Sequence, residues 1–278
     1  MTIFSTTLIL FFGSLIAGFF GSLSGLGGGL IITPLIVLGL GGDIHYAIGA
    51  SLISVIATST ASSCAYVRDG YSNIRLGIFL ETATTVGAIC GVAFGSLLSA
   101  PTLSLVFGFF MLYCSLSAIF HANKPDQNVP QNYLATWFKL NSSYPVDWNI
   151  ETAGYRHYYV RGVPLGYLIM FCAGGMSGLL GIGSGVLKVL ALDNVMGLPF
   201  KVSTTTSNFM IGVTAAASAG IYLKMGYIDP VITLPAVVGV TLGSLAGSRL
   251  LPGMKTKSLR MIFALLVLMT AIEMIVGG

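Results

Sequence analysis

The chain has 278 residues, 55% of them hydrophobic and 8% charged, with a net charge of +4. A soluble domain carries roughly 25% charged residues, so a water-soluble globular fold is excluded. So small a positive charge gives no reason to expect a nucleic-acid partner.

Apolar segments follow one another at 3–23, 29–42, 46–66, 76–99 and 102–120, then again at 162–181, 185–198, 203–223, 230–251 and 258–276. Most are long enough to cross a bilayer, which takes about 20 residues per helix. The first lacks a basic leader and runs past the length of a signal-peptide core, so Thr2 onward reads as a membrane helix. Cys64, Cys90, Cys114 and Cys172 fall inside apolar segments without CxxC or metal-ligand spacing. They read as small buried hydrophobes. Residues 121–161 form a polar stretch whose Pro125, Pro130 and Pro145 argue against a long helix. Within it Tyr144–Ile150 and Tyr155–Val160 flank Glu151-Thr152-Ala153-Gly154, the pattern of a small hairpin. Its aromatic residues suit a membrane surface.

The two sets of segments are copies. A shift of 156 positions, without insertion, lays Gly25-Leu26-Gly27-Gly28-Gly29 onto Gly181-Ile182-Gly183-Ser184-Gly185. The same shift matches Gly41 to Gly197, Ser51 to Ser207, Ser62 to Ser218, Gly70-Tyr71 to Gly226-Tyr227, and Gly87 and Gly91 to Gly243 and Gly247. Two related membrane halves are a common build for secondary transporters, with the substrate held where the halves meet. The segment after each Gly-rich break is too short to span. Leu30 to Gly41 reaches about 18 Å, against a hydrocarbon core about 30 Å thick. Either the first two helices share the span or the breaks lie within the membrane, where non-helical backbone must be covered by protein or line a polar cavity.

Charge placement orients the halves. With five segments per half and the N-terminus outside, eleven Lys and Arg residues fall in cytoplasmic loops, Arg68, Arg75 and Lys201 among them, and only Lys224 outside. That bias favours inverted over parallel repeats. The expected fold is therefore an all-α, polytopic helical bundle of two inverted five-segment repeats with Gly-rich helix breaks. Residues 1–120 form the first transmembrane repeat, 121–161 a polar cytoplasmic linker, and 162–278 the second repeat.

Three groups of residues carry the candidate chemistry. The first is the pair of breaks, Gly27, Gly28 and Gly29 with Gly183, Ser184 and Gly185, where backbone N–H groups at a helix start are suited to an anion. The second is Lys188, inside a membrane segment where its counterpart in the first half is Ile32. An ionisable residue there is costly and faces a cavity or a partner, unless it snorkels to the headgroups. Asp193, five residues on, lies roughly 140° around the helix and is no partner. The third is the polar run Ser203-Thr204-Thr205-Thr206-Ser207-Asn208, of which Thr206, Ser207 and Asn208 are expected at the site with Ser51. Glu81 and Glu273 are single acids in apolar surroundings and are placed near the surface, with proton relay as the alternative. No Ser/His/Asp set, paired carboxylates or Walker loop is present, which argues against an enzyme and implies no cofactor.

Gly27-Gly28-Gly29-Leu30-Ile31-Ile32-Thr33-Pro34, the run from Gly181 to Val189, and Lys201 to Gly212 together resemble the sulfite exporter TauE/SafE family. Two departures stand in the second copy: Ser184 for the middle glycine and Leu190 where the proline would be. The resemblance implies a multi-pass plasma-membrane transporter of a small anion such as sulfite or an organosulfonate. On this expectation the breaks and Lys188 hold the anion while Ser51, Thr206, Ser207 and Asn208 donate hydrogen bonds. The partners expected are the anion and the lipid bilayer, with a homo-oligomer left open. An anion channel, or a thiol-dependent enzyme or biogenesis factor using Cys64 or Cys172, stand as alternatives.

Overall fold

The computed structural model describes residues 3–95, 97–99, 133–145, 154–181 and 183–255, with single positions between 102 and 116 and between 258 and 272. The expected fifth and tenth segments lie largely outside them, as do Cys114, Glu273 and residues 121–132 and 146–153 of the linker. In the first half α1 is Ile3–Ser24, α2 Gly29–Pro34, α3 Ile44–Arg68 and α4 Ile74–Gly95. The linker contributes α5 (Tyr133–Trp137) and the strands β1 (Ser142–Pro145) and β2 (Tyr155–Tyr158). In the second half α6 is Val163–Leu180, α7 Gly185–Leu190, α8 Phe200–Lys224 and α9 Pro230–Leu250. Each short helix runs on into a π turn, Leu35–Gly39 after α2 and Ala191–Val195 after α7. The second π turn forms without a proline at 190, so a proline at this position is not required for the turn.

The 156-residue offset survives in the elements. α2, both π turns and α3 match their counterparts residue for residue, and α4 and α9 start at equivalent positions. The caps repeat as well. Asn73 Oδ1 accepts from Leu76 N at 3.1 Å to open α4, and its equivalent Asp229 accepts from Val231 N at 2.8 Å to open α9. A side-chain oxygen at this position satisfies an N–H group that the first helical turn leaves without a partner.

The halves interlock. α1 packs along α9, and α4 packs along α6, the equivalent pair. The backbones touch there: a Cβ on Gly91 would strike the main chain of Gly175, and one on Gly243 that of Leu15. Small residues permit this closeness, which drives helix association where lipid removes the hydrophobic incentive. α3 crosses its own equivalent α8 in opposite directions: Gly49 lies against Tyr227, Ser59 donates to Asn208 O at 2.5 Å, and Thr205 donates to Tyr71 O at 2.9 Å. Each short helix folds back along the helix before it, placing Leu35 against Gly13 and Met196 against Gly166.

Five helices among the described residues are long and apolar enough to cross a membrane: Phe4–Ser24, Ile44–Arg68, Ile74–Gly95, Val163–Leu180 and Pro230–Gly253. Their outward faces carry Phe4, Phe12, Val86, Phe94, Leu168, Leu234 and Leu242, all exposed. An apolar exterior of this kind suits lipid. α8 is as long as α3, yet holds the run Ser203–Asn208, every member of which is buried in protein. Cys64, Cys90 and Cys172 face outward, contrary to their expected burial. Their sequence surroundings are apolar on every side of the helix, so composition alone could not separate a lipid-facing position from a core one.

In the linker β1 and β2 pair antiparallel, β1 starting two residues before the expected strand, while most of that strand and the expected turn lie outside the described residues. The linker does more than lie on the surface. Ala135, Leu140, Tyr158 and Val160 are buried against Leu76, Leu80, Met170 and Met196. Asn73 Nδ2 donates to Leu140 O at 2.9 Å and to the Tyr158 hydroxyl at 3.0 Å. Burial pushes the Tyr158 phenol up to about 12, so it remains a neutral acceptor for that bond.

Candidate functional site

The two breaks meet at the crossing of α3 and α8. A Cβ on Gly27 would touch Ile211 and Val55, and one on Gly183 the same pair, which are themselves equivalents. A Cβ on Gly185 would strike Gly25 O, and Gly29 lies beside Ser51 with Gly181 O next to it. Two hydroxyls tie the breaks across the halves. Ser51 Oγ donates to Gly181 O at 2.8 Å, and its equivalent Ser207 Oγ donates to Gly25 O at 2.8 Å, with Gly185 O at 3.3 Å. Gly25, Gly27, Gly181 and Gly183 all have positive φ, which glycine adopts without steric cost. The copies part at one residue: Gly28 is right-handed at φ −68°, whereas Ser184 is left-handed at φ 50°.

Beside the second break lies a buried polar cluster. Lys188, in the first turn of α7, is 0% exposed, so it does not snorkel. Its Nζ donates to Thr214 Oγ1 on α8, and Thr214 Oγ1 donates to Glu81 Oε1 on α4. The ion pair closes the triangle, with Lys188 Nζ 3.6 Å from Glu81 Oε2. Thr84, one turn after Glu81 and on the same face, places its hydroxyl 3.4 Å from that of Thr214. Glu81 is 7% exposed, which corrects the surface position expected for it. The reason is tertiary: α4 turns that face inward between α6 and α8, which no single segment reveals. Lys188 therefore faces a partner from the other half, as one of the readings of it required. Glu81 Oε2 and Ser184 Oγ have no hydrogen-bond partner among the described residues although both are buried. Lys188 Nζ has one acceptor there for three N–H groups.

The other expected site residues are near but differently employed. Thr206 Oγ1 accepts from Asn73 N at 3.0 Å and fastens the turn between α3 and α4. Asn208 Nδ2 donates to Ser22 O at 2.7 Å, while its Oδ1 has no partner among the described residues. In this conformation the donors of Ser51, Ser207 and Asn208 are thus directed at main-chain carbonyls around the breaks.

The family model for the sulfite exporter TauE/SafE family matches residues 10–274. The chain belongs to that family. Among curated proteins it is 29% identical to the probable membrane transporter protein YunE of Bacillus subtilis, over 95% of each chain. It is 27% identical to the probable membrane transporter protein YdhB of the same organism, over 90% of this chain and 92% of that one. A probable membrane transporter protein of Xylella fastidiosa is 26% identical over 99% of this chain and 97% of its own. No solved structure matches it.

Sequence reasoning found Lys188 in this member of the family and missed Glu81, Thr214 and Thr84 as its companions. A signal was present. Under the repeat offset Lys188 replaces Ile32 and Glu81 replaces Val237, so both buried charges are departures from an apolar counterpart. Two unmatched charges of opposite sign in membrane segments are natural candidates for one pair.

Proposed function

We propose that this protein is a secondary transporter of a small oxyanion, sulfite or an organosulfonate, in the plasma membrane, working by alternating access between two inverted five-segment repeats. Family membership and the names of the relatives support the transporter class. The observation that carries the mechanism is the meeting of both Gly-rich breaks at the antiparallel crossing of α3 and α8, with a buried lysine beside them. Transporters with inverted repeats bind at such a junction of broken helices. The antiparallel crossing of equivalent helices supports inversion, as does the positive-inside count. Rocking of one half against the other would part the Ser51–Gly181 and Ser207–Gly25 bonds, both of which join the halves. Those hydroxyls would then turn to an anion whose charge Lys188 neutralises.

The test is thermal unfolding of the purified chain with sulfite, sulfate, thiosulfate, sulfoacetate, taurine and carboxylates. An anion held at about 100 times its Kd stabilises the folded state by about 2.7 kcal/mol. Lys188→Met should abolish the response, because losing one partner of a buried charge contact costs about 2–5 kcal/mol of binding. Lys188→Arg should recover little, its guanidinium being planar and bulkier. A folded Lys188→Met protein with the wild-type response would remove Lys188 from the site. A wild type unmoved by every anion, and inert in counterflow in proteoliposomes, would sink the oxyanion reading. The inverted arrangement is checked with single cysteines in a background lacking the native four: Asp229 should label from outside and Asp69 from inside.

A further inference from the structure

Lys188 is not free to neutralise an anion while Glu81 holds it. The two carry opposite charges 3.6 Å apart, so the cluster as it stands is neutral. Adding a monovalent anion would leave a net negative charge in a buried, low-dielectric site, where an uncompensated charge is strongly disfavoured. A proton removes the conflict. We propose that Glu81, Thr214 and Lys188 form a proton-binding site in which a proton on Glu81 and an anion on Lys188 together replace the ion pair, so that each monovalent anion crosses with one proton. This rests on the reading of Lys188 as the anion's counter-charge.

The step balances simply. A proton from water forms an O–H bond at Glu81 Oε2, and Lys188 remains an ammonium throughout. The neutral carboxyl releases it, the anion's charge takes the carboxylate's place, and the site stays neutral. The geometry suits each part. Oε2 has no hydrogen-bond partner among the described residues, so it takes the proton without breaking a bond. Thr214 touches both charges through one hydroxyl. When Glu81 no longer accepts from it, that hydroxyl can turn to Met210 O at 3.2 Å. Its three roles need a side chain that both donates and accepts, which threonine supplies.

Among the described residues, other titratable groups on the packed elements are engaged elsewhere or set apart along the chain. On α4, Arg75 lies six residues before Glu81, is exposed, and donates to Lys139 O of the linker at 3.3 Å. From α6, Tyr167 meets Thr82 at 2.9 Å, and Cys172 faces outward. Beyond α7, Asp193 follows Lys188 by five residues on the π turn. Along α8, Lys201 precedes Thr214 by about 20 Å, and Tyr222 and Lys224 follow it by about 12 Å and about 15 Å at 1.5 Å per residue. Lys201 is engaged with Pro252 O at 2.8 Å. Nor does the repeat demand this pair, because the equivalent positions hold the apolar Ile32 and Val237.

The experiment uses the full chain and isethionate, a sulfonate that stays a monoanion throughout the range tested. Isothermal titration from about pH 5 to about pH 9 should show affinity falling as pH rises, by up to about tenfold per pH unit, as one-proton linkage requires. In proteoliposomes carrying a trapped pH dye, isethionate entry should acidify the lumen, one proton per anion and without net charge movement. Glu81→Gln should give isethionate affinity that is flat with pH and no acidification. Because that variant leaves Lys188 unpaired and can fail to fold, Glu81→Gln/Lys188→Gln provides a neutral pair that should neither bind nor acidify. Isethionate entry without proton movement in wild type, or proton movement retained in folded Glu81→Gln, would overturn the proposal. Failure of the transporter reading is seen separately, as no isethionate binding at any pH. The proton site is then read by infrared titration of the protein alone. A protonated-carboxyl band present in wild type and missing in the double variant supports it, and no such band overturns it.

Discussion

The same position in the two halves of this protein holds different chemistry on the same backbone. Beside the second break stand Lys188, Thr214, Glu81, Thr84 and Ser184. Beside the first stand their equivalents Ile32, Thr58, Val240 and Gly28, a Cβ on Gly28 lying 2.8 Å from Val240 Cγ1, 3.2 Å from Thr58 Oγ1 and 3.6 Å from Ile32 Cδ1, while the counterpart of Glu81 is the half-buried Val237. Only the threonine is shared. Thr58 donates to Ser54 O at 2.9 Å, closing on its own helix, whereas Thr214 bridges two charges. The first break shows that the architecture accepts uncharged neighbours here. The charged pair beside the second break is therefore not what folds the chain, and its presence points to function.

The comparison breaks most sharply when the second cluster is converted into the first. Glu81→Val alone strands a buried ammonium and should destabilise the protein by about 3–5 kcal/mol, the usual cost of removing one partner from a buried pair. Glu81→Val with Lys188→Ile should recover all of that loss, since replacing a buried pair by packed apolar residues is neutral or stabilising by about 1–4 kcal/mol. Thermal unfolding of the three proteins in detergent measures both. If the double variant stays as unstable as the single one, the pair is structural and the reading from asymmetry fails.

A smaller effect tests the places where the halves do agree. Ser51 and Ser207 each donate across to the other break, so Ser51→Ala and Ser207→Ala should both destabilise, by about 1–3 kcal/mol for a buried carbonyl left unsatisfied. They should not be equal. Ser207 lies within reach of both Gly25 O and Gly185 O, whereas Ser51 serves Gly181 O alone. The Ser207 variant should unfold at the lower temperature, and the reverse order would show that the second contact contributes nothing.

Much of this architecture was legible because the repeat is a statement about packing. Matching glycines at 18 and 174, 87 and 243, and 91 and 247 mark backbone contacts that the structure places between halves. The break positions followed from glycine runs and short segments. What one sequence conceals is which face of an apolar helix turns inward. That is why the sequence pattern places Cys64, Cys90 and Cys172 in the core and Glu81 at the surface, whereas the structure has the reverse. The polar run of α8 is expected at the site, and Thr205 to Asn208 divide bonds among Tyr71, Asn73, Ser22 and Gly25, residues from 133 to 186 positions away. Hydrogen bonds of that span are properties of the fold, and no local pattern announces them.

The mildest test concerns the one backbone angle at which the breaks differ. Ser184 sits at φ 50°, and among the described residues its hydroxyl has no hydrogen-bond partner to offset a left-handed conformation. That conformation costs a residue with a Cβ about 1–2 kcal/mol. Ser184→Gly should therefore stabilise the protein, though by about 1 kcal/mol or less, because glycine also gains freedom in the unfolded chain. Gly28→Ala is the counterpart and should go the other way. Its backbone at φ −68° accepts a side chain, but the new Cβ would press on Val240 and Thr58, and overpacking of that kind costs about 1–3 kcal/mol. Opposite signs from equivalent positions would show that the halves share a chain path while their breaks are tuned separately. If Ser184→Gly instead destabilised the protein and weakened its response to anions, the orphan hydroxyl would belong with Lys188 among the groups that hold the anion.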